Sequence, residues 1–196
     1  MLSNSALFFA PNPQIQPENP VIEYFKKFDI DQLATVARAT YKETYPSFTE
    51  DELDALFGEF FRNKILNDDL PNINSALLAM KQAGKVIGYA RLYFDKEAPY
   101  LDKLYLMKSH HGQGLGRALL FRCFEICRER GCNQLNLQAY KENIYAIDFY
   151  KRQGFNQVGD PVDYVNPASG QVYIGTNIKM QCEDVGKQLE LRRFQY

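Results

Sequence analysis

The stretch His111-Gly112-Gln113-Gly114-Leu115-Gly116-Arg117 has residue types and spacing that can do chemistry. It lies between a strand-like run, Leu101 to Lys108, and an amphipathic stretch of helical spacing that continues to Arg130. Glycine has no Cβ, so three glycines at alternate positions let the backbone approach a bulky ligand closely. A helix that starts at such a loop aims its first N–H groups, and the positive end of its dipole, at whatever is bound there. Both features suit a pyrophosphate. A Walker loop would end in Gly-Lys-Ser/Thr, and here Gly116 is followed by Arg117-Ala118. A Rossmann loop would follow the first strand of a parallel βαβ unit and carry its glycines as G-x-G-x-x-G. Here a predicted antiparallel meander precedes the loop, and the glycines sit at 112, 114 and 116. Neither reading fits.

Around the loop, spacing predicts an α/β domain. Val21 to Phe28 reads as a first strand. Asp31 is placed to cap a helix carrying Leu33, Val36, Ala37 and Tyr41, which Pro46 ends. Thr49 and Glu52 have capping-box spacing at the head of a second helix that runs toward Pro71. Ser75–Lys81, Val86–Phe94 and Tyr100–Lys108 form the meander, and Gly88 suggests a bulge. Leu115, Ala118, Leu119, Cys123 and Ile126 form one stripe of the helix after the loop, which Gly131 stops. A strand over Gln134–Tyr140 follows, then a helix capped by Asn143 and ended by Gly154. Asn156–Tyr164 and Gln171–Gln181 close the sheet, with Pro161 marking an irregular or edge strand. The total is about seven strands and four helices in a mixed sheet.

Composition narrows the function. The chain has 196 residues, a formal net charge of −1 and 45% hydrophobic residues, enough for one full core. Near-neutral charge gives no footprint for nucleic acid. No apolar run approaches the ~20 residues that span a membrane, and Ala6–Ala10 is too short for a signal-peptide core; a cytoplasmic location is expected. Met1–Pro20 carries four of the nine prolines and reads as an extended arm. The folded domain is expected over 21–182, with 183–196 as a charged, loosely packed tail. Cys123, Cys127, Cys132 and Cys182 have no metal-ligand spacing and read as reduced thiols, the first two on the inward helical stripe; no metal is expected. Between Tyr41 and Leu70, eight acidic residues stand against three basic ones, among six aromatics. Such an excess suits either a solvated helix face or a rim that draws in a cationic substrate.

The loop resembles the acyl-CoA loop of the GNAT acetyltransferase superfamily, Gln/Arg-x-x-Gly-x-Gly/Ala, with His111 standing where Gln or Arg is usual. Independently, Asn143-Ile144-Tyr145-Ala146-Ile147-Asp148-Phe149-Tyr150, followed by Gly154-Phe155, is similar to the family's Asn-x-x-Ala-x-x-Phe-Tyr-x-x-x-Gly-Phe element. A weaker likeness, in Ala39–Tyr45 and Gly88-Tyr89-Ala90, is to the branch that includes spermidine/spermine acetyltransferases. The resemblance implies a GNAT-type, mostly antiparallel sheet and acetyl-CoA as co-substrate. It implies cofactor contacts at Leu104, Tyr105 and Leu106, at Gly112, Gln113, Gly114, Leu115, Gly116 and Arg117, and at Asn143 and Tyr150. It further implies that Tyr150 protonates the departing thiolate, a role a phenol can fill because it is protonated at neutral pH. The expected reaction is direct acetyl transfer to a small, polyamine-like amine. Acetylation of a protein N-terminus or lysine, and non-catalytic acyl-CoA binding, are the alternatives. For the base, Asp102 with Tyr100 on its strand face, Glu43 and a water chain all stay open. The resemblance allows a homodimer. At the His111 position, histidine can gain charge near neutrality, so a direct contact with the pyrophosphate would make binding pH-sensitive.

Overall fold

The computed structural model describes residues 19–94, 98–165 and 170–193, so the expected N-terminal arm lies outside the described residues except for its last two. In chain order the elements are β1 (Val21–Tyr24), α1 (Ile30–Thr44), α2 (Glu50–Phe57), α3 (Glu59–Asn63), β2 (Ser75–Gln82), β3 (Lys85–Tyr93), β4 (Tyr100–Leu106), α4 (Leu115–Glu129), β5 (Leu135–Tyr140), α5 (Ile144–Arg152), β6 (Asn156–Gln157), β7 (Val162–Val165), β8 (Val172–Cys182) and α6 (Val185–Arg193). The strands form one sheet in the order β1-β2-β3-β4-β5-β8-β6, with β7 also paired to β8. Every pairing is antiparallel except β4 with β5. The sheet has eight strands rather than seven because the predicted strand Asn156–Tyr164 breaks around Gly159, whose φ is 66°.

Helices cover both faces of the sheet, and each face has its own core. On one, α4 and α5 bury Leu119, Phe124 and Ile147 against Leu78, Leu92 and Met180. On the other, α1, α2 and α3 bury Leu33, Leu53 and Phe61 against Leu77 and Tyr89. Local sequence explains most boundaries. Ala83 (φ 49°) and Gly84 (φ 73°) make the left-handed turn that matches the strand twist between β2 and β3. The Thr49–Glu52 capping box is formed, with the Glu52 N–H donating to the Thr49 hydroxyl and the Thr49 N–H to the Glu52 carboxylate; such a cap contributes about 1 kcal/mol.

Three expectations need correction. The N-cap of α1 is Asp29, not Asp31, because the Asp29 carboxylate is buried and bound to Lys81 Nζ at 2.6 Å. Asp31 sits in the first turn and instead accepts from Arg62 at 3.0 Å. The second helix does not run unbroken to Pro71. It breaks at Gly58, where a Cβ would lie 2.6 Å from the Asp54 carbonyl oxygen, and ends in a π-helical turn over Lys64–Asp69. The charged tail packs rather than hanging loosely: α6 lies against α4, with Val185 fully buried and Leu189 against the core.

Candidate active site

The glycine loop is built by backbone geometry. Gly112 (φ 75°) and Gly114 (φ 76°) are left-handed, a conformation that costs other residues roughly 1 kcal/mol or more. Gly116 is different. It lies in the first turn of α4, where an added Cβ would come no nearer than 4.0 Å to the Phe149 ring. Neither the backbone nor the packing of this chain requires glycine there. Helical bonding begins at the Ala118 N–H, which donates to the Gly114 carbonyl at 3.0 Å, so the N–H groups of the preceding turn point along the helix axis. The His111 ring staples the loop to the end of β4, its Nε2 donating to the Leu106 carbonyl at 2.8 Å. Gln113 is likewise tied down, donating weakly to the Ser109 carbonyl at 3.3 Å. Arg117 lies over the Phe121 ring at 5.2 Å.

Strand β4 leads into this loop and parts from β5. The two pair only through Tyr100↔Asn136 and Leu101↔Leu137. Beyond that point Leu104 packs into the α4/α5 core and Tyr105 into the other. Helix α5 brings its own residues to the gap. Asn143 caps it, Oδ1 accepting from the Ala146 N–H at 3.1 Å. Tyr150 is buried, its ring edge-on to Phe149 and Phe155. Burial pushes the Tyr150 phenol up, with added effects from Cys123 and from Tyr45 and Tyr100, which come from the opposite face of the sheet. Tyr150 therefore lies in the α4/α5 core within electrostatic reach of the far face.

That far face holds what the sequence reading missed. Tyr41 and Tyr45 of α1 and its C-terminus, Tyr89 of β3, Tyr105 of β4, Tyr140 of β5 and Tyr164 of β7 converge there. The Tyr41 and Tyr164 hydroxyls are hydrogen-bonded to each other. Tyr45 packs on Tyr140 and Tyr164, with ring centroids at 5.1 and 6.2 Å, and Tyr105 acts on its phenol electrostatically. Tyr89 packs on Tyr105 at 5.7 Å. The alternation Tyr89, Arg91, Tyr93 was the available signal, since residues two apart on a strand share a face.

Beside the tyrosines lies a chain of buried charges. A bulge in β4 opposite the Arg91/Leu92 step turns Asp102 toward Arg91. Arg91 is 6% exposed; it donates from Nε to Asp102 Oδ2 at 2.8 Å, again to Oδ2 from Nη2, and from Nη1 to Asp69 Oδ2 at 2.7 Å. Tyr93 donates to the other Asp69 oxygen at 2.8 Å. Burial alone would raise Asp102, but Lys103 and Arg91 outweigh it and hold the carboxyl down at about 2. A carboxylate so firmly ionised and paired is a poor proton acceptor, which weakens its case as the base. Tyr100 has a hydrogen bond to the backbone of Gln138, and burial pushes its phenol up as well.

At least half of the acidic residues between Tyr41 and Leu70 are engaged by pairing or capping. Arg38 holds Glu50 and Asp54 at 2.6 and 2.8 Å, Lys42 holds Glu50 at 3.1 Å, Glu52 caps α2, and Asp69 pairs with Arg91. Cys123, Cys127 and Cys182 are buried and all four cysteines are unbridged; burial pushes the Cys127 thiol up to about 12.

Residues 37–155 match the model of the acetyltransferase (GNAT) family. The chain belongs to the GNAT family. An uncharacterized N-acetyltransferase of Mycobacterium tuberculosis is 30% identical over 129 residues, covering 65% of this chain and 83% of the relative. The spermidine N(1)-acetyltransferase of Thermoplasma acidophilum is 25% identical over 132 residues, 65% of this chain and 82% of the relative. Among solved structures, the PaiA N-acetyltransferase of Thermoplasma acidophilum in complex with coenzyme A superposes with a TM-score of 0.71 at 22% identity, over 84% of this chain and 99% of that one. This GNAT enzyme is an N-acetyltransferase with acetyl-CoA as its co-substrate. Among the described residues, no helix is long and apolar enough to cross a membrane.

Proposed function

We propose that this enzyme transfers the acetyl group of acetyl-CoA directly to the primary amine of a small molecule, with Tyr150 as the acid that protonates the coenzyme A sulfur. The observation that carries this reading is the position of Tyr150. It is buried in the α5 core, yet close enough to Tyr45 and Tyr100 across the parted strands to feel both. Burial disfavours the phenolate, so the group stays a proton donor throughout the neutral range.

The loop around Gly112, Gly114 and Gly116, with Gln113, Leu115 and Arg117, cradles the pyrophosphate. Leu104, Tyr105 and Leu106 offer the β4 backbone edge to the pantetheine arm, beyond the two residue pairs that join β4 to β5. Gly116 supports this reading, since its missing Cβ serves no purpose within the chain but lets a ligand approach the first turn of α4. His111, held to Leu106, acts on the loop rather than on the ligand. Asn143 fixes the start of α5 through Oδ1 and has its amide group left for the cofactor.

The ammonium acceptor first gives up a proton, with a water chain as the route. Its lone pair then attacks the thioester carbonyl carbon, and backbone N–H groups stabilise the oxyanion. When the C–S bond breaks, the sulfur takes the Tyr150 proton and the nitrogen releases its second proton to water, leaving an amide and coenzyme A; solvent reprotonates the tyrosine. A small amine is favoured over a protein chain because bulky aromatics crowd the acceptor side, and the spermidine acetyltransferase relative points the same way. We take 21–182 as the transferase unit, with 183–196 as its appended tail. The test is thiol release from acetyl-CoA across spermidine, simple amines, amino acids and peptides. Release with small amines supports the reading; release only with peptides, or with none of them, overturns it in favour of protein acetylation or acyl-CoA binding alone.

A further inference from the structure

The Tyr89 hydroxyl is fully buried, and among the described residues it has no hydrogen-bond partner. Leaving a buried hydroxyl unpaired is costly, and native proteins rarely do it without a reason. Its neighbours are specific. Arg91, Asp102 and Tyr45 all act on it electrostatically, and the Tyr105 ring packs on its own. Tyr45, Tyr105, Tyr140 and Tyr164 are only partly buried, so Tyr89 forms the floor of a cluster that reaches solvent. Asp102, bonded to Arg91 two residues along β3 from Tyr89, offers an unequal pair of oxygens. Oδ2 takes both Arg91 bonds, whereas Oδ1 has only Lys103 Nζ at 3.7 Å, too long for a hydrogen bond.

We propose that the acceptor's ammonium group is received at this floor, between the Tyr89 hydroxyl and Asp102 Oδ1, with the Tyr45 and Tyr105 rings around its carbon stem. The chemistry is complementary on each side. The ammonium brings three donors, which a hydroxyl oxygen and a carboxylate can accept. Tyrosine faces attract a cation that has left water. One ammonium on a slim apolar stem fits this arrangement. The assignment deepens the acetyl-transfer reading and rests on it for the identity of the acceptor.

The test is a titration of n-butylammonium chloride into the coenzyme A-loaded protein, at constant ionic strength. The chain has no tryptophan, so the tyrosine absorbance difference reports the cluster directly. Saturable binding is expected for the wild type, weakened roughly tenfold in Tyr89→Phe and more strongly in Asp102→Asn. Coenzyme A affinity stays unchanged in both variants. Tyr89→Phe also keeps or raises the thermal midpoint, since it removes an unpaired buried group, and so separates lost binding from lost folding. Equal n-butylammonium affinity in the wild type and Tyr89→Phe overturns the proposal and makes the hydroxyl a purely structural one. Absence of saturable binding in the wild type overturns it as well. Failure of the acetyl-transfer reading has a separate signature: saturable amine binding with no thiol release.

Discussion

The two halves of the site are made of different material. On the α4/α5 side, the loop from His111 to Arg117 is a backbone construction: left-handed glycines, a helix start and a β4 edge that has left β5. On the α1 side, the tyrosine cluster and the Asp69–Arg91–Asp102 chain are side-chain constructions drawn from several distant segments. A backbone site recognises what all its ligands share, in the function proposed above a pyrophosphate and a pantetheine arm. A side-chain site can be rebuilt one residue at a time to fit a particular acceptor. The first is therefore read from a family resemblance, and the second belongs to this chain.

Substitutions can break or sharpen that contrast. Arg91→Met should have the largest effect, on the side-chain half. It strands two carboxylates in a region where Asp69 and Arg91 are both below a tenth exposed, and the expected loss is about 3–5 kcal/mol in urea unfolding. A loss under about 1 kcal/mol would show that the chain of charges holds nothing together. Tyr150→Phe tests the other half without touching its backbone. Turnover should fall roughly a hundredfold while acetyl-CoA binding is retained, and unchanged turnover removes Tyr150 from the acid role.

A pH titration reaches the side-chain half by another route. The Asp102 carboxyl is held at about 2 when folded, below the ~3.9 of an unfolded aspartate. A depressed carboxyl stabilises the fold above the unfolded value and loses that contribution as pH falls through the folded one. The wild type should lose roughly 2 kcal/mol between about pH 4 and pH 2 through this group, and Asp102→Asn should flatten that limb of the curve. The smallest effect is expected at Gly116. Ala at this helical position should leave stability unchanged or raise it by up to ~1 kcal/mol, yet increase the KM for acetyl-CoA. A lower stability would mean that the glycine serves the fold after all.

Local chemistry made much of the backbone half legible beforehand. The Thr49–Glu52 box, the Asn143 cap and the stop at Gly131 each depend on a few neighbouring residues, and each is formed as expected. The misreadings came where a distant partner intervened. Asp31 looked like a cap, but Lys81, fifty-two residues beyond Asp29, drew that aspartate into the cap position instead. The acidic run from Glu43 to Asp69 allowed either a solvated helix face or a rim for a cation, and Arg38 and Arg91 pair with three of its carboxylates. The tail looked loosely packed because four of the nine residues of α6 are charged, yet Val185 and Leu189 anchor it to the core.

The sequence by itself determined the glycine loop, the α5 element with Asn143 and Tyr150, and hence the family and its co-substrate. Those features are short stretches whose backbone preferences and spacing act over a few residues. Only the tertiary structure decided which side chains meet on the α1 side of the parted strands. The β3–β4 register places a bulge at Asp102, and helix α1 packs across the sheet to bring Tyr45 beside Tyr105 and Tyr140. Sheet register and helix packing are long-range outcomes, set by how a whole face buries its apolar side chains, and no local spacing of tyrosines encodes which of them will meet.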